Sequence, residues 1–175
     1  MAPGGGRDPD RGGTAAQYRM REKLVSFGDD YWIEDADGER AYHVDGKALR
    51  LRKTFDLLDL QGQRLCRAQT RVLHVRDTMA IEGPDGDRIA TVHKALVSPL
   101  RHRWKVDVEG GADLSVQGNV VDHEYTVERD GRQIAEISKR WFRMRDTYAI
   151  QVTPGADTPL LLTVAVALDA MTHPN

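Results

Sequence analysis

Residues 157–169 read Asp157-Thr158-Pro159-Leu160-Leu161-Leu162-Thr163-Val164-Ala165-Val166-Ala167-Leu168-Asp169. Asp157 supplies an N-cap oxygen and Pro159 is suited to a first helical turn, so a helix is predicted to start here. Ala165, Ala167 and Ala170 favour the same reading, while Val164 and Val166 leave a buried strand as the other. Through Met171 the segment is apolar on every side except at Thr163 and Asp169. A helix on a protein surface carries a polar face, so one that is apolar all round has to be surrounded. A bilayer span takes ~20 residues. The run from Leu160 to Leu168 is far shorter, so its surroundings are expected to be protein.

What surrounds it is written upstream, in Gly38, Gly62, Gly86, Gly110, Gly131 and Gly155, spaced by 24, 24, 24, 21 and 24 residues. Most sit in acidic or polar turns: Ala36-Asp37-Gly38-Glu39-Arg40, Pro84-Asp85-Gly86-Asp87-Arg88 and Arg129-Asp130-Gly131-Arg132 are the clearest. Asp-Gly is a strong hairpin signal because a two-residue turn of type I′ needs positive φ at both central positions. One period holds two strands of ~6–8 residues and their connections.

Alternation between the turns agrees. Leu49, Leu51, Phe55 and Leu57 share one parity, against Arg50, Arg52, Thr54 and Asp56. Val75, Met79 and Ile81 alternate with Arg76, Thr78 and Glu82, and Trp104, Val106 and Val108 with Lys105, Asp107 and Glu109. Tyr125 and Val127, then Tyr148, Ile150 and Val152, continue the pattern. Period two with one wet face marks antiparallel strands buried on one side. The expectation is about twelve strands. An open sheet that wide would carry two exposed edges, so closure into a barrel is predicted. Such a barrel is too wide for its own side chains to fill, and one apolar helix of ~10 Å diameter is a fitting plug. The fold class is therefore mainly β: a closed antiparallel barrel of about twelve strands enclosing a C-terminal hydrophobic helix.

Three stretches carry a family resemblance. His93-Lys94-Ala95-Leu96-Val97-Ser98-Pro99-Leu100-Arg101-His102-Arg103-Trp104-Lys105-Val106 looks like a strand, a basic loop and the next strand. Ile134-Ala135-Glu136-Ile137-Ser138-Lys139-Arg140 is followed by Tyr148-Ala149-Ile150-Gln151-Val152, and Asp157 through Ala170 looks like a terminal core helix. Across roughly residues 18–172 the chain resembles the LURP-one-related family, and through it the tubby C-terminal-like and phospholipid-scramblase superfamily. The resemblance implies a twelve-stranded barrel threaded by a hydrophobic helix. Tubby-like relatives bind phosphoinositides through basic residues, and scramblase-like relatives are associated with lipid movement. This chain has neither a separate membrane-spanning run nor a D-x-[DN]-x-[DN]-G calcium loop, which speaks against scramblase-type activity.

Composition frames the rest. A chain of 175 residues with 40% apolar and 30% charged residues fits one soluble domain. Residues 1–16, rich in Gly and Pro, read as a disordered tail, and residues 17–173 as a single barrel domain. The tail has no apolar core of a signal peptide. Cys66 is the only cysteine, which fits a cytoplasmic compartment, peripheral to a membrane if the ligand is lipid. Cys66 lies between Arg64 and Arg67, close enough to activate an exposed thiol; the plainer reading is a small buried hydrophobe. Net charge of −2 gives no global pull toward anions, so such a partner needs a local patch.

The chemistry of catalysis is hard to find. There is no G-x-S-x-G, G-x-x-x-x-G-K-[ST], H-E-x-x-H or C-x-x-C, and the six histidines are scattered singly. A non-enzymatic protein without metal or cofactor is expected. Two basic–aromatic stretches are the candidate anion-binding residues, both read as connections between strands: Arg101, Arg103, Trp104 and Lys105, then Lys139, Arg140, Trp141, Arg143 and Arg145. Cations flanking exposed rings suit an anionic lipid surface. The mixture also suits nucleic acid, the least favoured partner. The alternative is that the tryptophans cap the barrel ends while the arginines pair with acidic neighbours. A third cluster, Arg50, Arg52 and Lys53, reads as strand exterior. Asp169 is expected to emerge at a barrel mouth with a hydrogen-bonding or cationic partner. The leading expectation is a module binding an anionic lipid headgroup or similar anion. A protein-interaction scaffold is the alternative, and a hydrolase-type site at one mouth a more remote one.

Overall fold

The computed structural model describes residues 14–21, 30–46, 52–71, 78–95, 101–119, 124–138 and 147–172. They form twelve strands and one helix: β1 (Ala16–Arg21), β2 (Tyr31–Asp35), β3 (Arg40–Gly46), β4 (Thr54–Leu58), β5 (Arg64–Thr70), β6 (Thr78–Glu82), β7 (Arg88–Lys94), β8 (His102–Val108), β9 (Leu114–Asn119), β10 (Glu124–Arg129), β11 (Arg132–Ser138), β12 (Thr147–Val152) and α1 (Thr158–Thr172). Each strand pairs antiparallel with its sequence neighbours, and β1 closes the ring against β12 from Ala16↔Val152 to Arg21↔Thr147. The predicted closed barrel is the observed one. β1 starts one residue inside the segment that composition assigns to the tail; residues 1–13 lie outside the described residues.

The glycine ladder has a geometric reason. Every second connection returns at the same end of the barrel, so one tight turn recurs every two strands. All six of these glycines have positive φ, from 69° to 87°. Only Asp130-Gly131, at φ 51° and 73°, is the expected two-residue turn. The Gly38, Gly62 and Gly86 turns are longer, with one left-handed glycine. In the first, Gly38 N–H donates to Asp35 C=O at 3.1 Å and Asp35 N–H to Glu39 C=O at 2.8 Å. The register slips there, so Glu34 faces Arg40, which is a three-residue loop with a bulge. Asp35 and Asp59, 24 residues apart, each accept two backbone N–H bonds from their own turn at 2.8–3.0 Å. The carboxylate at the head of the turn thus holds the loop that glycine permits.

Inside, Ile33, Val44, Leu57, Ile81, Val92, Val106, Val116, Val127 and Ile150 face α1, each 2% exposed or less. The helix is buried from Leu160 to Met171, as its missing polar face requires. Asp157 caps it: Leu160 N–H donates to Asp157 Oδ1 at 3.0 Å. The hydroxyls of Thr163 and Thr172 donate to the carbonyls of Pro159 and Leu168 at 2.7 and 2.6 Å, so Thr163 is buried without an outside partner, while Thr172 is half-buried at the helix end. Cys66 touches this face, and burial pushes its thiol up to about 11, against any reactive role at neutral pH. The lumen is full. A void of about 10 Å³ beside Asp169, lined also by Met20, Tyr125, Ile137, Tyr148, Ala165 and Leu168, has room for little more than one water.

Candidate functional site: the basic mouth of the barrel

Antiparallel connectivity gives the barrel two mouths of opposite character. α1 starts at the mouth where β2–β3, β4–β5, β6–β7, β8–β9 and β10–β11 turn back. Those connections and the β12–α1 link contain Asp37, Glu39, Asp59, Asp85, Asp87, Glu109, Asp113, Asp130 and Asp157, and not one Lys or Arg. Tight turns select Asp for its backbone hydrogen bonds, so the acidity follows from the turn chemistry. At the opposite mouth the sequence between strand ends runs through 22–30, 47–53, 71–77, 95–101, 120–123 and 139–146. It holds twelve Lys and Arg against six Asp and Glu. The connections at the two mouths therefore differ in charge, while Arg40, Arg64, Arg88, Arg129 and Arg132 border the acidic turns at the strand ends and Arg88 pairs with Glu109 at 3.1 Å.

The first predicted stretch belongs to this mouth but not to a loop. Arg101 is a bridge residue immediately before β8, and residues 102–105 are in the strand itself. Arg101 and Arg103 are exposed on the outer wall. Trp104 corrects the expectation of an interfacial ring: it is 2% exposed and faces the lumen. Its ring meets His102 and Tyr125 edge-on, with centroids 5.5 Å apart in each case. The alternation Trp104, Val106, Val108 already put it on the inner face; pairing with its basic neighbours obscured that. Lys105 is exposed yet engaged, with Nζ 2.7 Å from Asp107 and 3.2 Å from Asp113. These bonds, Asp107 first, raise its pKa. The Val108 N–H and then Lys105 hold Asp113 below the usual carboxylate range. Asp107 also lies 3.5 Å from His93. With two carboxylates on one ammonium, Lys105 has no free charge to offer an anion.

The second stretch, Lys139, Arg140, Trp141, Arg143 and Arg145, lies outside the described residues. The strand ends it joins, Ser138 and Thr147, are at the same mouth as Arg101. Of the third cluster, Arg52 and Lys53 precede β4 at this mouth and Arg71 follows β5. Lys94 ends β7 opposite Trp104, and its charge, after burial, lowers the pKa of His102. Lys94 and His102 escape a search for Arg-rich loops; only strand pairing puts them beside Trp104.

Behind this rim sits a polar layer that the middle of the lumen lacks. Asp169, 5% exposed, accepts a bond from the Tyr148 hydroxyl at 3.4 Å. Burial, and then Asp169, raise the pKa of Tyr31 well above normal. Among the described residues, Tyr31 Oη, His102 Nδ1 and Trp104 Nε1 are buried here without a hydrogen-bond partner. On the outer wall, Arg67 grips Asp56 at 2.6 and 2.9 Å, a cross-strand pair that charge counting alone would have read as free arginine. Trp32 stacks on His43 at 4.7 Å under Arg40 at 4.5 Å, also unforeseen. Among the described residues no three His, Cys, Asp or Glu side chains could hold a metal, and no helix is long and apolar enough to cross a membrane.

A closed antiparallel barrel around a terminal hydrophobic helix defines the class. The chain belongs to the LURP-one-related family, which it matches over residues 16–169. It is 22% identical to the uncharacterized protein YxjI of Bacillus subtilis (strain 168) over 155 residues, covering 88% of this chain and 92% of that protein. The X-ray structure of a protein from Arabidopsis thaliana shares the fold at TM-score 0.65 and 17% identity, over 90% of this chain and 92% of that one. Family and fold fit a barrel module built around a buried helix.

Proposed function

We propose that this protein is a non-enzymatic module that docks on anionic lipid headgroups through the basic mouth. The observation that carries this is the charge separation: connections with twelve cations at one end, and with nine carboxylates and no cation at the other. A basic residue near an anionic membrane contributes about 1 kcal/mol, so a rim with a small surplus of free cations gives reversible, salt-sensitive attachment. The acidic mouth is repelled by the same surface, which orients the barrel. Arg101 and Arg103 belong to the docking face, joined by Lys139, Arg140, Arg143, Arg145 and Trp141 from the 139–146 connection. Trp104 and Lys105 drop out as direct contacts, one buried and the other paired. The buried helix occupies the middle of the barrel among the described residues, which favours binding at the surface over catalysis in the lumen.

Flotation with vesicles tests the reading. At low salt the protein should float with phosphatidylcholine vesicles containing phosphatidylserine or phosphatidate and not with phosphatidylcholine alone. Release should follow as ionic strength brings the Debye length below about 10 Å. Equal failure with both compositions at low salt removes the lipid reading. The second reading, a protein scaffold, is favoured by the acidic mouth, which would face away from a membrane and offer carboxylates to a basic partner. A discrete partner retained at high salt would support it.

A further inference from the structure

We infer that docking through the basic mouth is proton-coupled: His93 and His102, near the mouth end of the β7–β8 hairpin, gain charge beside an anionic lipid surface, so attachment strengthens as pH falls below about 7. This rests on the docking reading and adds its regulation. Histidine follows the same division between the mouths as lysine and arginine. The turns at the acidic mouth hold none, whereas the 71–77 and 120–123 connections hold His74 and His123. His93 and His102 share one hairpin among the described residues. Lys94 is paired with Trp104, and the Ala95 N–H donates to the Arg103 carbonyl at 2.8 Å, so the two strands stay together up to the 95–101 connection. His93 and Lys94 end one strand, His102 and Arg103 begin the other, and Arg101 precedes it. His43, mid-strand on β3 beside Trp32 and Asp30, lies outside this group.

The two rings change the local charge in different ways. His93 Nδ1 lies 3.5 Å from Asp107 on the outer wall. Lys105 faces it from β8, Thr78 from β6, and Asp113 of the β8–β9 turn is near enough to feel its charge. One ammonium between two carboxylates leaves this group with a negative charge in excess, which a proton on His93 cancels. His102 is half-buried, with the Trp104 ring edge-on beside it and Lys94 of β7 as the charge it meets. A proton there adds a second cation to Lys94 outright. Burial and Lys94 oppose that proton in the free protein, and lipid phosphates outside the mouth favour it. The influence acts through space and needs no pocket. At 0.01–0.1 M salt the Debye length is about 10–30 Å, longer than the ~7 Å that two residues of strand span. By linkage, a surface that favours the protons is bound more tightly once they are on.

Flotation of the intact protein across pH tests the coupling. The probe is phosphatidylcholine vesicles containing phosphatidylglycerol, whose phosphodiester keeps its charge throughout, at fixed low salt. From about pH 7.5 to about pH 5.5 affinity should rise about tenfold or more, at about fivefold for each charge gained. His93→Gln with His102→Gln should lose most of that rise. His93→Arg with His102→Arg makes both charges permanent. That pair should bind at the upper pH nearly as tightly as the parent does at the lower, a gain that damage to the fold cannot mimic. Circular dichroism at both ends of the range checks that each variant is folded; if the arginine pair is not, the glutamine pair carries the test. A parent whose affinity is flat with pH refutes the coupling and leaves the docking reading intact. A rise that persists in the glutamine pair refutes the assignment to this hairpin. No binding at any pH overturns both.

Discussion

Replacing Gly118 with alanine tests the packing behind the basic mouth with one methyl group. The backbone of Gly118 is not in the left-handed region, so alanine meets no conformational penalty there. On conformation alone the change would stabilise a strand by about 0.5–1 kcal/mol. Sterics point the other way. The new Cβ would lie 2.0 and 2.5 Å from two carbons of the Tyr125 ring and 3.0 Å from the Glu124 carbonyl oxygen. Tyr125 is 5% exposed, so the ring has to move within a filled core. Overpacking of this kind costs about 1–3 kcal/mol, and losing the edge-on Trp104 contact adds about 0.5–1.5 kcal/mol. The net expectation is a loss of about 2–3 kcal/mol, or a melting point lower by about 4–12 °C for a domain of this size. Urea titration, with the slope checked for constancy, measures it. Tyr125→Leu in the Gly118→Ala background should recover part of the loss, giving a favourable coupling between the sites. A Gly118→Ala variant as stable as the parent, or more so, would refute the placement of Tyr125 over β9.

Val164 is fully buried in α1, and Val164→Asp puts an unpaired carboxylate inside the barrel; loss of more than about 4 kcal/mol, and of cooperative melting, is expected by circular dichroism. Cys66, buried and with its thiol pushed up to about 11, should resist a thiol reagent at pH 8 until urea unfolds the chain; rapid labelling of the native protein would contradict its inward position. Burial and Lys94 lower the His102 pKa, so the unfolded chain takes up its proton first as pH falls. The His102 contribution to stability is whole above about pH 6.5 and erodes as pH drops from there through the lowered native value. His102→Gln should flatten that part of a pH–stability curve, whereas an unchanged curve would place the ring in open solvent.

The barrel was legible because two independent periodicities constrain it. Gly38, Gly62 and Gly86 mark turns at 24-residue intervals, and Leu160 to Met171 requires an enclosure; together they leave few folds. Turn type was less legible, since Asp-Gly occurs both in the two-residue turn at 130–131 and in the longer loops at 37–38 and 85–86. The site was legible only in its charge. Arg101 and Arg103 are exposed as expected, but Trp104 obeys the strand alternation and turns inward. Lys105 is engaged by Asp107 and by Asp113, the latter eight residues away and brought near by the β8–β9 turn. Pairings of this kind depend on register, as does the placing of Lys94 opposite Trp104. The polarity of the two mouths needed one further fact, that alternate connections of a closed meander share an end.

That polarity is tested most directly by reversing charge at each mouth and measuring affinity for phosphatidylserine-containing vesicles at fixed low salt. Arg101→Glu with Arg103→Glu removes two cations from the basic rim and adds two anions. Asp85→Lys with Asp87→Lys changes charge by the same amount, in the opposite sense, on the β6–β7 turn. With about 1 kcal/mol per basic residue at the surface, the first pair should weaken binding by about thirtyfold or more. The second should leave it within a few-fold of the parent, because those residues face away. Equal sensitivity at both mouths, or none at the Arg101 end, would contradict docking through the basic mouth.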